Sequence, residues 1–186
     1  MGSATRAIRR RKIEDWRNVE KRYQKDRNRN LLAKPGVHDF VIVLDQLKAG
    51  FNVPKIFRSA QAFGASAIHL VNIDVFDPAP AKGAFRKVPA IFHNSMSDCL
   101  ATLLDDGYKL FALSAQENSS IVNQTLPVKS AFLFGHEETG FSFDIDQHPD
   151  MQILSIPHFG NIESLNVSIA ASIVMYEYVR QHSDKS

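Results

Sequence analysis

A single cysteine, Cys99, stands among 186 residues. One thiol makes neither an intrachain disulfide nor a cysteine-based metal cluster, and its scarcity fits a reducing compartment. No apolar run approaches the ~20 residues that cross a bilayer, which argues against a membrane-spanning chain. The first residues lack the apolar stretch of a signal peptide, and Arg6 stands where a myristoylation signal needs Ser or Thr. A cytoplasmic location is the expectation from these absences. No Gly-x-Gly-x-x-Gly fingerprint is present, so a nucleotide-dependent oxidoreductase is remote. His38, His69, His93, His148 and His182 show no ligand spacing, and no metal site is expected. Wholesale disorder is excluded by the opposite property, a hydrophobic content of 44%.

Charge is present in quantity but unevenly placed. Residues 1–30 carry eleven Lys/Arg against four Asp/Glu, whereas residues 31–186 carry eleven against sixteen. A basic head on a mildly acidic body points to a polyanionic partner, most often nucleic acid, with a solvated helix as the plainer alternative. Ile13, Trp16, Val19 and Tyr23 fall at helical spacing. They form a narrow apolar stripe by which a helix over about 10–27 docks, its arginines outward. This arm occupies residues 1–34 and the body residues 35–186.

The body alternates between short apolar runs and helical segments. Phe40-Val41-Ile42-Val43-Leu44 is continuous, as in a strand buried on both faces. Asn52 offers a helix N-cap, with Pro54 in the first turn and Gly64 closing the segment. Further strands are expected at 67–71, around 88–92, and at 108–113, 131–134 and 152–156, with helices over 95–106 and 164–181. This alternation implies an α/β fold with a mainly parallel sheet flanked by helices. Residues 167–175 of the last helix are apolar or small almost all round, so that helix is expected to be covered twice or to meet a second subunit.

Three loops follow strands at their C-terminal ends, where ligands sit in open α/β sheets. The first, from Asn52 to Arg58, sets Lys55 and Arg58 side by side on a helix, a pair suited to phosphate. The second, Gly135-His136-Glu137-Glu138-Thr139-Gly140, lacks the second histidine of a zinc-protease helix and the Gly-Lys-Ser/Thr of a phosphate-cradling loop. Its glycines let backbone approach a ligand closely. The third runs from Ile156 to Ser168, and its Ser164 and Asn166 are one polar side chain more than helix capping requires.

Taken in order, Asn-x-x-x-x-x-Arg-x-Ala-x-x-Phe-Gly, Phe-Gly-x-Glu-x-x-Gly-Phe-Ser and Ile-Pro-x-x-Gly-x-x-x-Ser-Leu-Asn-Val-Ser resemble the three motifs of the SpoU (TrmH-type) RNA ribose methyltransferases of the SPOUT superfamily. The resemblance covers roughly residues 38–181. It implies a C-terminal trefoil knot, S-adenosylmethionine bound within it, a homodimer whose interface includes the last helix, and 2′-O-methylation of ribose in tRNA or rRNA. By motif position, Leu113, Gly135, Ile156, Pro157, Gly160, Ser164 and Leu165 are expected to hold the cofactor. Arg58, Asn52, Glu137, Ser164 and Asn166 are expected to form the catalytic site. There Asn52 braces the first loop, and Glu137 holds Arg58 or the target nucleotide. Structured RNA is expected to meet Arg9, Arg10, Arg11, Arg17, Lys55 and Arg58. Three departures stand out: Pro54 where the family usually has Gly, His136 before the glutamate, and His158 after Ile-Pro. The competing expectation is a non-catalytic RNA-binding protein that keeps the knotted fold.

Overall fold

Six short strands and four helices make up the chain in a computed structural model, which describes residues 2–115 and 119–183, with side chains from residue 14 onward. Helix α1 (Gly2–Asn30) leads into strand β1 (Val41–Asp45), helix α2 (Asn52–Ala62) and strand β2 (Ala67–Val71). Strand β3 (Ala90–His93), helix α3 (Met96–Asp105) and strand β4 (Lys109–Leu113) follow. Strand β5 (Ser130–Phe134), strand β6 (Gln152–Leu154) and helix α4 (Val167–His182) complete the chain. The sheet order is β3-β2-β1-β5-β4-β6, and every pairing is parallel.

Period-two alternation sorts the strand residues between two cores. Ile42, Leu44, Ile68, Leu70, Phe132 and Phe134 face α2 and α4. Val41, Val43, Ala67, Val71, Ala131 and Leu133 face α3, through Met96, Cys99, Leu100 and Leu103. Central strands β1 and β5 are buried along their whole length, which is why their sequences are apolar without a break. Each fully buried aliphatic side chain contributes about 2 kcal/mol.

The face beneath α3 also holds two imidazoles. Burial, with a smaller contribution from the neighbouring His93, holds His69 down to about 4. Burial pushes the Cys99 thiol up to about 12, helped by the Asp45 carboxylate.

Helix α1 is longer than the 10–27 expected from its stripe, and among its described side chains those of the last turns dock it. Tyr23 is 2% exposed, stacked on Phe85 and edge-on to Phe76. Asn30 Nδ2 donates to the carbonyls of Phe85 and Val88, while its Oδ1 accepts from the Ala90 amide. Asp26 pairs with Arg86, Arg22 with Asp77, and Arg27 lies over Phe92. Ahead of Tyr23 the expected stripe is not buried: Val19 is half-buried and Trp16 is 50% exposed. The physical reason is that the helix's partners, the turn at 84–86 with Phe76, Asp77 and strand β3, lie under its last turns. Ile13 falls outside the described side chains.

Of the two alternatives expected for helix α4, double cover within the chain is not what the structure has. Val167, Ala171, Val174, Met175 and Tyr178 are buried, and Ser59 of α2 hydrogen-bonds Ser172 at 2.7 Å. Ile169, Ile173 and Tyr176, at i, i+4 and i+7, form an exposed apolar stripe on its far side.

Candidate active site

The C-terminal ends of β4, β5 and β6 open into a cleft closed on its far side by the start of α4. Leu113, Phe134, Ile156, Leu165, Val167 and Ala170 give it apolar walls, and Glu137, His158 and Ser164 add polar groups. It encloses about 720 Å³ including its open mouth. Ser114 and Ala115 complete the lining beside Gly135.

Five of the seven residues expected at the cofactor are there: Leu113, Gly135, Ile156, Ser164 and Leu165. Pro157 and Gly160 are not. The chain turns outward after Ile156, leaving both exposed, and a Cβ on Gly160 would meet nothing within 4 Å. Gly135 is the opposite case. A Cβ there would lie 2.7 Å from Gly140 C and 2.9 Å from the Phe141 nitrogen, so the second loop folds back over its own backbone. Paired Gly140–His136 backbone bonds of 2.8 and 2.9 Å lock that turn. His136 Nδ1 accepts from the Glu138 and Thr139 amides inside it.

Hydrogen bonds stitch the three loops together. Asn52 Nδ2 donates to Glu137 Oε1 at 2.7 Å, and Asn166 Nδ2 donates to Asn52 Oδ1 at 3.2 Å. Asn52 is therefore no cap. Phe51 takes the N-cap position of α2 without a side-chain bond, which frees the Asn52 amide to span loops. Asn166 does cap, accepting from the amide and hydroxyl of Ser168 at 3.0 and 2.6 Å. Of the polar pair opening α4, one caps while the other, Ser164, lines the cleft. Lys48 adds an exposed ion pair to Glu138, which holds that carboxyl below its usual range.

A further strut was missed from sequence. Asp45, fully buried at the end of β1, accepts from the Ser142 amide and hydroxyl at 2.7 and 2.8 Å. The signal was there, as an acidic residue closing a continuous apolar run.

Arg58 is not brought to Glu137. It lies six residues beyond Asn52 on α2, about 9 Å along the axis. It is exposed, and Glu137 already receives Asn52. Among the described residues it has no hydrogen bond or ion pair. Arg17 and Lys55 are exposed as well, whereas Arg9, Arg10 and Arg11 fall outside the described side chains.

The two jobs of Asn166 can be separated. Asn166→Ala is expected to lose the cap, about 1 kcal/mol of stability, together with the link to Asn52. Asn166→Asp keeps the cap acceptor and loses only the donor, so its melting temperature should stay near wild type. Both should slow the reaction of this site by about tenfold or more through loop misplacement. Equal activity in Asn166→Asp and wild type would remove the link from the site.

Comparisons with known proteins agree with this geometry. The model of the SpoU rRNA Methylase family matches residues 39–176. The 23S rRNA (guanosine-2'-O-)-methyltransferase RlmB of Nitrosomonas europaea is 30% identical over 151 residues, which are 78% of this chain and 58% of that protein. The chain spans about 60% of the length of the curated relatives it matches. The SpoU methyltransferase AviRb of Streptomyces viridochromogenes, solved in complex with AdoMet, superposes with a TM-score of 0.69 at 26% identity, over 79% of this chain and 59% of that one. A structure concerned with 2-OH methylation of C/U34 on tRNA gives 0.67 at 28% identity, over 77% and 96%. With three motif loops meeting at one cleft and the family model covering most of the residues, this chain belongs to the SpoU rRNA methylase family.

Proposed function

We propose that this protein transfers a methyl group from S-adenosylmethionine to a ribose 2′-hydroxyl of tRNA or rRNA. The observation that carries this reading is the convergence of three sequence-distant loops on one cleft, cross-linked through Asn52, Glu137 and Asn166. The cleft suits the donor. Its walls are largely apolar, and the Gly135 backbone sits where a side chain would fill the space, so main-chain groups are free to meet a ligand. Leu113, Gly135, Ile156, Ser164 and Leu165 would hold it. When bound, the donor supplies an electrophilic methyl on a sulfonium, a good leaving group.

The protein's own task is then to position the sugar and remove a proton. The guanidinium of Arg58 offers no lone pair, so it orients the 2′-hydroxyl and adjacent phosphate rather than accepting the proton. Glu137 and His158 line the cleft and carry the lone pairs to which the hydroxyl proton passes. Asn52 and Asn166 keep Glu137 in place.

The same proposal takes the chain to be knotted at its C-terminal part, cytoplasmic and homodimeric. The exposed stripe of Ile169, Ile173 and Tyr176 supports the dimer. No helix among the described residues is long and apolar enough to cross a membrane. Residues 1–34 form the substrate arm, which grips phosphates without reading sequence.

Transfer of labelled methyl from S-adenosylmethionine into bulk tRNA or rRNA tests the activity. RNA binding with no transfer would instead favour the non-catalytic binder. Removing residues 1–19 tests the arm while leaving Tyr23 and Asn30 in their sockets. RNA affinity should fall, and its salt slope should flatten by about 0.7–0.9 for each phosphate no longer gripped. An unchanged slope would make the arm a passive extension.

A further inference from the structure

Sequence spacing hides what the sheet assembles at its far edge. In the β2–β3 pairing Val71 stands opposite His93, so His69, two residues earlier, is its diagonal neighbour on one face. Cys99, in the first turn of α3, packs against that same face. His69 Nδ1 lies 2.9 Å from His93 Nε2 and 3.8 Å from Cys99 Sγ. All three donor atoms lie within 4.8 Å of one another. The imidazole planes differ by 9° with centroids 5.1 Å apart. At that separation, with nitrogens in contact, the rings meet edge to edge.

We propose that His69, His93 and Cys99 form a binding site for one zinc-type cation, separate from the catalytic cleft. Two imidazole nitrogens and a thiolate are the donor set that zinc prefers and that magnesium or calcium avoids. Tetrahedral zinc with bonds of about 2.0–2.3 Å needs its donors about 3.3–3.6 Å apart. Here the two nitrogens are closer, at 2.9 Å, the His69 nitrogen and the sulfur wider, at 3.8 Å, and the third pair lies within 4.8 Å, so the donors must shift to close on one ion. The required adjustment is available because His93, half-buried, ends the edge strand. Its partial exposure also leaves an entry path and a fourth coordination position for water. Two carboxylates, Asp98 near His93 and Asp45 near Cys99, place negative charge beside the three donors. On binding, the Cys99 sulfur forms a bond to the metal and its proton passes to solvent. The proton between the imidazoles moves, through solvent, to the outer nitrogen of its own ring, so both inner lone pairs face the ion. The net release is one proton per metal.

The site shares no residue with the cleft, so its occupancy is read independently of methyl transfer. The full chain, stripped by a chelator, is titrated with cobalt(II) and then zinc. One equivalent of cobalt should give a thiolate-to-cobalt charge-transfer band that zinc abolishes. Zinc should raise the melting temperature, while magnesium at the same concentration should leave it unmoved. Cys99→Ser should lose the band. His93→Ala, a change at a half-buried edge position, should lose it too and guards against a misfolded Cys99 variant. A folded wild-type chain with no band and no zinc-dependent shift would show a trio that only packs the core, and would overturn the site. So would a band that survives in both variants, or an equal shift with magnesium.

Discussion

Arg58→Ala is expected to lower methyl transfer by at least about a hundredfold while leaving donor affinity within about twofold of wild type. The asymmetry follows from where the side chain sits. Arg58 lines no part of the cleft and is exposed on α2, so removing it takes nothing from the donor's walls. What it removes is the one guanidinium on the first loop's helix, the group proposed to orient the ribose and its phosphate. Arg58→Lys keeps the charge and loses the planar fork, so it should recover only part of the rate. Single-turnover transfer, with calorimetric titration of S-adenosylmethionine, separates the two quantities. Loss of donor binding with residual transfer would refute the assignment.

Gly135→Ala should fail in the complementary way. Its Cβ would fall 2.7–2.9 Å from the backbone of Gly140 and Phe141, and backbone locked by the His136–Gly140 pairing cannot yield cheaply. The second loop must open, at a cost of about 1–3 kcal/mol. The turn that positions Glu137 and walls the cleft then moves. Donor binding should fall below detection by calorimetry, with the melting temperature lowered by several degrees. RNA binding through the arm should persist. An alanine variant that binds the donor normally would show that the close approach at Gly135 has no part in the cleft.

Much of this arrangement was legible before any coordinates. The continuous apolar run of β1 announced a strand covered on both sides, and both its sides are covered. The three loops were recognisable by their residues and by following strands, and they do converge. The partners chosen inside the site were less legible. Asn52 looks like a cap because asparagine before a helix usually is one. Only the position of Glu137 across 85 residues of chain shows what it binds. The strut from Asp45 to Ser142 and the imidazole pair of His69 and His93 depend on how strands lie beside one another, a property that no single strand's pattern encodes. Even so, a histidine inside the apolar run Ala67–Val71 is a polar group that burial obliges to find a partner. The stripe on α1 misled for a related reason. Helical spacing tells which residues share a face, but not how far the surface beneath that face extends.

The short seat beneath α1 bears on what the protein can hold. Among the described side chains the helix is anchored from Arg22 onward, and the turns before it measure about 30 Å at the helical rise. An outrigger of that length sets a minimum footprint. If the arm grips RNA as proposed, a stem or loop shorter than its reach would meet the cleft alone, whereas an extended folded RNA would be clamped at two places at once and gain the benefit of bivalent attachment.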